Sequence, residues 1–307
     1  MRQTFILGFA MLAISGANAA TPNPSTSPDA DARGLHWARD SAPSTPNKSA
    51  NSQASANPLM TFHGGVVMSQ VTSKAIYWGP SWANSSFVGD KITGLDTWYS
   101  GHNKSNYSAT VDEYTGSNGS VQNTSLVHQG HIIDTSLPAN GSKTASILSE
   151  VCKQISAGNI TVDTSGNGYY PIYTDVKRGH ASYCAWHSSG TCNGQRVQFA
   201  FFFNLDGDSG CDPQDESTGH SQGLAALANV TAHELSEARS DPASPGAWSD
   251  SSGNENGDKC AWTFAVPYVT FTDGTNWKLQ GEWSNNAYNN GTGYANSSGQ
   301  KGCVSGQ

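Results

Sequence analysis

The residues with the clearest capacity for chemistry are His233, Glu234 and Glu237, in the stretch QGLAALANVTAHELSEARSDPASPGAWSDSSGNENGDKC at residues 222–260. On a helix, His233 and Glu237 project from one side, and Glu234, turned by about 100°, reaches over the same place. Two ligands one turn apart with a glutamate after the first come close to the His-Glu-x-x-His arrangement of zinc peptidases. There the intervening glutamate takes a proton from metal-activated water. Here Glu237 stands where the second histidine would be. A carboxylate is an acceptable zinc ligand, but a charged and harder one that lessens the Lewis acidity on which water activation depends. The expectation is a zinc (Zn2+) site held by His233 and Glu237, with Glu234 as general base and a third ligand, Glu255 or Asp258, from the loop downstream. That loop interleaves Asp241, Asp250, Glu255 and Asp258 with Gly246, Gly253 and Gly257, and so many oxygen donors also suit calcium (Ca2+). Without a metal, the same helix would offer a solvated face with Glu234 beside Arg239.

The elements that must position these groups follow from spacing. Leu224, Leu227, Ala228, Thr231, Leu235 and Ala238 repeat on one helical face, Ser221 can cap the start, and Asp241-Pro242 stops the helix. Segments 74–79, 169–176 and 196–206 are rich in aromatic and branched residues and read as strands, the last one central. Residues 142–156 read as a helix burying Ile147, Leu148, Val151 and Ile155. Asp273-Gly274 predicts a hairpin within 263–283. The expected fold class is α/β (α+β): a single zincin-like domain with a mixed sheet and a metal-site helix, stapled by disulfides.

Residues 1–20 carry a basic second position, an apolar run and a small-residue cleavage site at Ala17-Asn18-Ala19, the pattern of a signal peptide. Residues 21–58 are Ser-, Pro- and Asn-rich and predict a disordered linker or pro-segment, with Leu35-His36-Trp37 its only apolar patch and expected to be solvated. Residues 59–307 form the globular domain. No other stretch is apolar enough to span a bilayer, so the mature chain is expected to be secreted, without a membrane partner, and monomeric. The net charge of −8 and the absence of a basic aromatic platform argue against nucleic acid. Charged residues make up only 13%. Six cysteines in an exported chain predict three disulfides. Cys184–Cys192 and Cys211–Cys260 are plausible pairs among fifteen possible pairings. His187 is a further candidate ligand, and the acidic loop of Asp206, Asp208, Asp212, Asp215 and Glu216 a weaker calcium candidate lacking complete EF-hand spacing.

Three blocks, MTFHGGVVMSQVTSKAIYWGPSW, SYCAWH, and FAFFFNLDGDSGC followed by GLAALANVTAHELSEARSDP, resemble in order the successive blocks of the EXORDIUM or phosphate-induced protein family, over most of residues 59–245. That family consists of exported proteins known best from the plant cell wall and apoplast, without a settled biochemical activity, so the resemblance implies location more than reaction. Bacterial relatives resemble this chain in carrying HE-x-x-E, then D-P, a W-x-D turn and E-x-G-D-x-C. Those positions are His233, Glu234, Glu237, Asp241, Trp248, Asp250, Glu255, Asp258 and Cys260 here. The functional expectation is a secreted zinc-dependent, peptidase-like hydrolase acting on a peptide or cell-wall substrate. The competing expectation is a non-catalytic extracellular or cell-wall binding protein with a structural calcium or zinc site and exposed Trp277 and Trp283.

Overall fold

The computed structural model describes residues 29–41, 57–122, 126–138 and 141–307. The expected signal peptide and most of the expected linker lie outside the described residues. The centre is a six-stranded mixed sheet of β1 (Arg33–Trp37), β2 (Val71–Trp78), β3 (Leu126–Asp134), β4 (Gly168–Lys177), β5 (Tyr183–Cys192) and β6 (Gln195–Asn204), in the order β1-β5-β6-β4-β2-β3. Strands β3, β2, β4 and β6 run parallel, and β5 is antiparallel to both of its neighbours, β6 and β1.

The central strands lack alternation because helices cover both faces. Tyr169, Tyr170, Ile172 and Tyr173 on β4 and Phe199 to Phe203 on β6 are all buried, as parallel strands between helical layers require. Tyr173 and Phe202 stack on the face toward α1 (Lys91–His102) and α3 (Gln222–Ser240), where the Tyr173 hydroxyl meets Tyr99 of α1 and Thr231 of α3. Trp186 stacks on Phe201 on the other face, which α2 (Thr144–Ser156) covers through Leu148 packed over Gly190. The turn from β5 to β6 is Asn193-Gly194 with both residues at positive φ, 50° and 79°, the requirement of a two-residue type I′ hairpin. The hairpin expected in 263–283 is present as Val269–Thr270 paired with Asn276–Trp277 around Asp273-Gly274.

Two expectations are corrected. Residues 33–37, placed by composition in a disordered linker, form β1 and cover the edge of β5; His36 is fully buried instead of solvated. The three disulfides are Cys152–Cys192, Cys184–Cys211 and Cys260–Cys303. Neither Cys184–Cys192 nor Cys211–Cys260 forms. Cys184 and Cys192 lie eight positions apart on one extended strand, so about 27 Å separates them, far beyond disulfide reach. Three disulfides are the covalent pattern of a protein folded in an oxidising compartment. Among the described residues, no helix is long and apolar enough to cross a membrane.

Candidate metal centre

Helix α3 begins where expected, with the Ser221 hydroxyl accepting from the Leu224 amide at 3.1 Å, and its last residue is Ser240. It has no solvated face. All residues from Gly223 to Ser240 are buried, because the sheet, its edge strand β1 included, lies on one side while the chain near Asn256, Gly257 and Gln280 closes over the other. Arg239 does not stand beside Glu234 at a surface. Its guanidinium, held down to about 10 by burial, donates to Ser108 and to the Gln122 carbonyl.

The three helix residues and both loop candidates meet at one buried place. His233 Nε2 lies 3.2 Å from Glu237 Oε2 and 3.8 Å from Asp258 Oδ1. His187 of β5 reaches the same carboxylate oxygen of Glu237 at 3.9 Å and Glu255 Oε2 at 3.1 Å. Two sets of donors therefore share Glu237: His233, Glu237 and Asp258, and His187, Glu234 and Glu237. Within them His233 Nε2, Glu237 Oε2, His187 Nδ1 and both Glu234 oxygens are buried without a hydrogen-bond partner. Leaving that many buried polar atoms unpaired costs about 1–3 kcal/mol each. The other Glu237 oxygen is held by the Asp258 amide at 2.9 Å, and Asp258 Oδ2 accepts from the Glu255 amide at 3.0 Å.

Electrostatics points the same way. Glu234, Glu237, Glu255 and Asp258 form no close ion pair with a lysine or arginine among the described residues; histidines are their near partners, while Arg33 and Lys259 act on Glu255 and Asp258 from farther off. Burial first, then mutual repulsion, pushes Glu234 and Glu237 well above the usual carboxylate range; burial and the Asp241 charge do the same to Glu255. Asp258 rises to about 8, chiefly by burial. Desolvation holds His233 well below its ordinary value and takes His187 down to about 3. Without a cation, the cluster is at its most stable with its acids protonated and its imidazoles neutral. A divalent ion would exchange for those protons and satisfy the orphaned atoms together.

Two residues that spacing did not single out complete the centre. Gln280 Nε2 donates to the Gly257 carbonyl at 3.0 Å and faces His233 Nδ1 at 3.1 Å, while its oxygen meets His36 Nε2 at 2.8 Å. In that orientation His233 accepts at Nδ1 and carries its proton on Nε2. A metal on Nε2 requires the proton on Nδ1, and so the Gln280 amide turned to present its oxygen. No motif announces Gln280; it is brought in by the chain after the 269–277 hairpin. His36 sits in the segment that composition assigned to a linker.

The remaining candidates fall outside the centre. Asp206 pairs with Lys91 and Asp208 with Arg178, and Asp215 caps Ser217 and Thr218, so the 206–216 loop spends these three carboxylates on local contacts. Trp277 and Trp283, expected to be exposed in the binding-protein reading, are 1% and 0% exposed and belong to the interior. No protein-family model matches this chain, and neither the curated proteins nor the solved structures searched contain a match.

Proposed function

We propose that this chain is a secreted, zinc-dependent hydrolase of peptide bonds, with His233, Glu237 and Asp258 holding the metal and Glu234 acting as general base. The observation that carries the reading is the convergence of unpaired, fully buried His233 Nε2 and Glu237 Oε2 beside Asp258, with the unpaired Glu234 carboxyl next to them. The donor chemistry fits zinc better than calcium, because a neutral imidazole belongs to the set. Zinc bound there would supply Lewis acidity to a water and to a substrate carbonyl.

The chain's own groups do the rest. No side chain holds either Glu234 oxygen, and only the His36 backbone N–H acts on the carboxyl. Burial keeps it protonated without a cation, and the charge of a bound ion would favour the ionised form that can take a proton from water and return it to the leaving amine. The Asp258 amide fixes the Glu237 carboxylate through its Oε1, leaving Oε2 directed at His233. Gln280 would hold the His233 proton on Nδ1, and so free Nε2 for the metal, once its amide turned to present its oxygen, and His187 orients Glu255 behind the ligands. The zincin-like character lies in this helix, buried under the antiparallel strand β5, with Glu237 replacing the second histidine. Export is supported by the signal-peptide pattern and by the three disulfides, and the EXORDIUM-like blocks agree with an exported protein. The test is Glu234→Gln, which is expected to abolish peptide hydrolysis while bound zinc stays stoichiometric by elemental analysis. Undiminished hydrolysis removes the mechanism, and calcium in place of zinc removes the metal assignment.

A further inference from the structure

We infer that the edge of β5 is a groove for an extended peptide and that Arg33–Trp37 is its built-in occupant. The groove stands on geometry alone; that a bound peptide is cut rests on the proposed function. Without β1 the sheet would end at β5, whose free ladder groups would accept an added strand directly over the candidate ligands. Strand β1 supplies that added strand from the chain itself. It holds β5 through Arg33↔His187, His36↔Ala185 and Trp37↔Tyr183, with register irregularities between these pairs.

The irregularity lies where β1 crosses the centre. Gly34 has φ +46°, and a Cβ there would fall 2.1 Å from Glu237 Oε2 and 2.4 Å from His187 Nε2. Only glycine lets the backbone come this close. Two residues on, the His36 ring packs edge-on against His233 with centroids 4.2 Å apart and bonds Gln280. The ends are anchored by Arg33, which donates to the Ala243 carbonyl at 3.0 Å and lies 3.5 Å from Asp241, and by the Trp37 carbonyl, which accepts from Trp262 at 2.8 Å. Gly34 and His36 face inward while Arg33, Leu35 and Trp37 are half-buried. A cavity of ≈ 610 Å³ lies beside the strand, bounded in part by Gly34, Leu35, Asp241, Glu255 and Asp258. Main-chain pairing combined with sites for alternate side chains is how sheet edges recognise extended peptides. The class that fits has a basic residue, then glycine over Glu237, then an imidazole or aromatic ring two positions later.

The test places a site for a sequence-specific protease between Ser41 and Asn57 in the full chain and compares cut and uncut protein at nanomolar concentration. The probe is a fluorescein-labelled synthetic peptide of residues 29–41, followed by anisotropy. A tethered occupant competes at an effective concentration of roughly 1 mM, so for a peptide Kd of about 10 µM cutting should strengthen apparent binding by about 100-fold. A Gly34→Val version of the probe should not bind, because its side chain would meet Glu237. Equal and weak binding before and after cutting overturns the inference. So does loss of the near-ultraviolet circular dichroism on cutting, which would make β1 an integral strand. Strong binding by the cut protein with no hydrolysis of peptides of this class upholds the groove and removes the peptidase reading. Hydrolysis that rises on cutting supports both.

Discussion

Asp258→Asn should remove zinc-dependent stabilisation, and Glu234→Gln should leave it in place. The metal-free fold should tolerate both changes. In the first, the new amide keeps a side-chain oxygen for the Glu255 N–H, at a position whose side chain is 16% exposed. In the second, the new amide keeps the shape of a carboxyl that burial already holds neutral. Zinc at 100 times its Kd adds about 2.7 kcal/mol to stability. For a domain of this size each kcal/mol moves Tm by about 2–4 °C, so wild type should rise by roughly 5–11 °C on zinc addition. If losing the third ligand weakens binding about 100-fold, the same zinc concentration contributes only about 0.4 kcal/mol, or about 1–2 °C. The assay is thermal unfolding of chelator-stripped protein with and without zinc. The wild-type shift should also be larger at pH 8.5 than at pH 6, because zinc displaces a proton from Asp258, whose carboxyl sits at about 8. The reasoning is refuted if Asp258→Asn keeps the full shift while Glu234→Gln and His187→Ala lose it. The ion would then lie in the set of His187, Glu234 and Glu237, and Glu234 would be a ligand instead of a base.

Metal-free protein should lose stability as pH rises from about 5 to 8. Glu282, buried against Tyr107 and Asn256, is raised from 4.5 to about 8. Its contribution is complete below the unfolded value and disappears through the folded one, with a slope of at most about 1.4 kcal/mol per pH unit. Glu282→Gln should lessen the slope of a urea-denaturation profile across that range by up to that amount, the four acids of the centre keeping the remainder, and an unchanged slope would contradict the assignment. Cys184→Ser with Cys211→Ser opens a bridge spanning 27 residues, for which loop entropy gives about 3.5 kcal/mol; a change below about 1 kcal/mol in chemical denaturation would show that the link constrains little. Gln280→Leu unpairs His36 and the Gly257 carbonyl at once while its backbone N–H keeps Asn229, and should cost about 2–4 kcal/mol while lowering zinc affinity; unchanged zinc binding would exclude Gln280 as the group that sets the His233 proton.

What the sequence determined was local. Helical repeat and a serine cap located α3, and four-residue spacing placed His233 and Glu237 on one side of it. Aromatic and branched runs marked β2, β4 and β6, and Asp273-Gly274 marked its hairpin. Each of these signals is carried by neighbours within a few residues, where backbone geometry alone fixes direction. Asn193-Gly194 was an equally local signal for the β5–β6 turn, and reading it would have placed Cys184 and Cys192 at opposite ends of a strand. The tertiary structure alone decided the rest. Arg33–Trp37 looks like linker because five residues without apolar alternation cannot order themselves; the β5 edge and the pocket around His36 supply the missing contacts. Gln280 reaches His233 across 47 residues and His187 reaches Glu255 across 68, distances at which no periodicity survives. Whether four acidic side chains stay in water or are buried together without a cation depends on what packs over the helix, and so the strongest pointer to a metal appears only once the chain has closed.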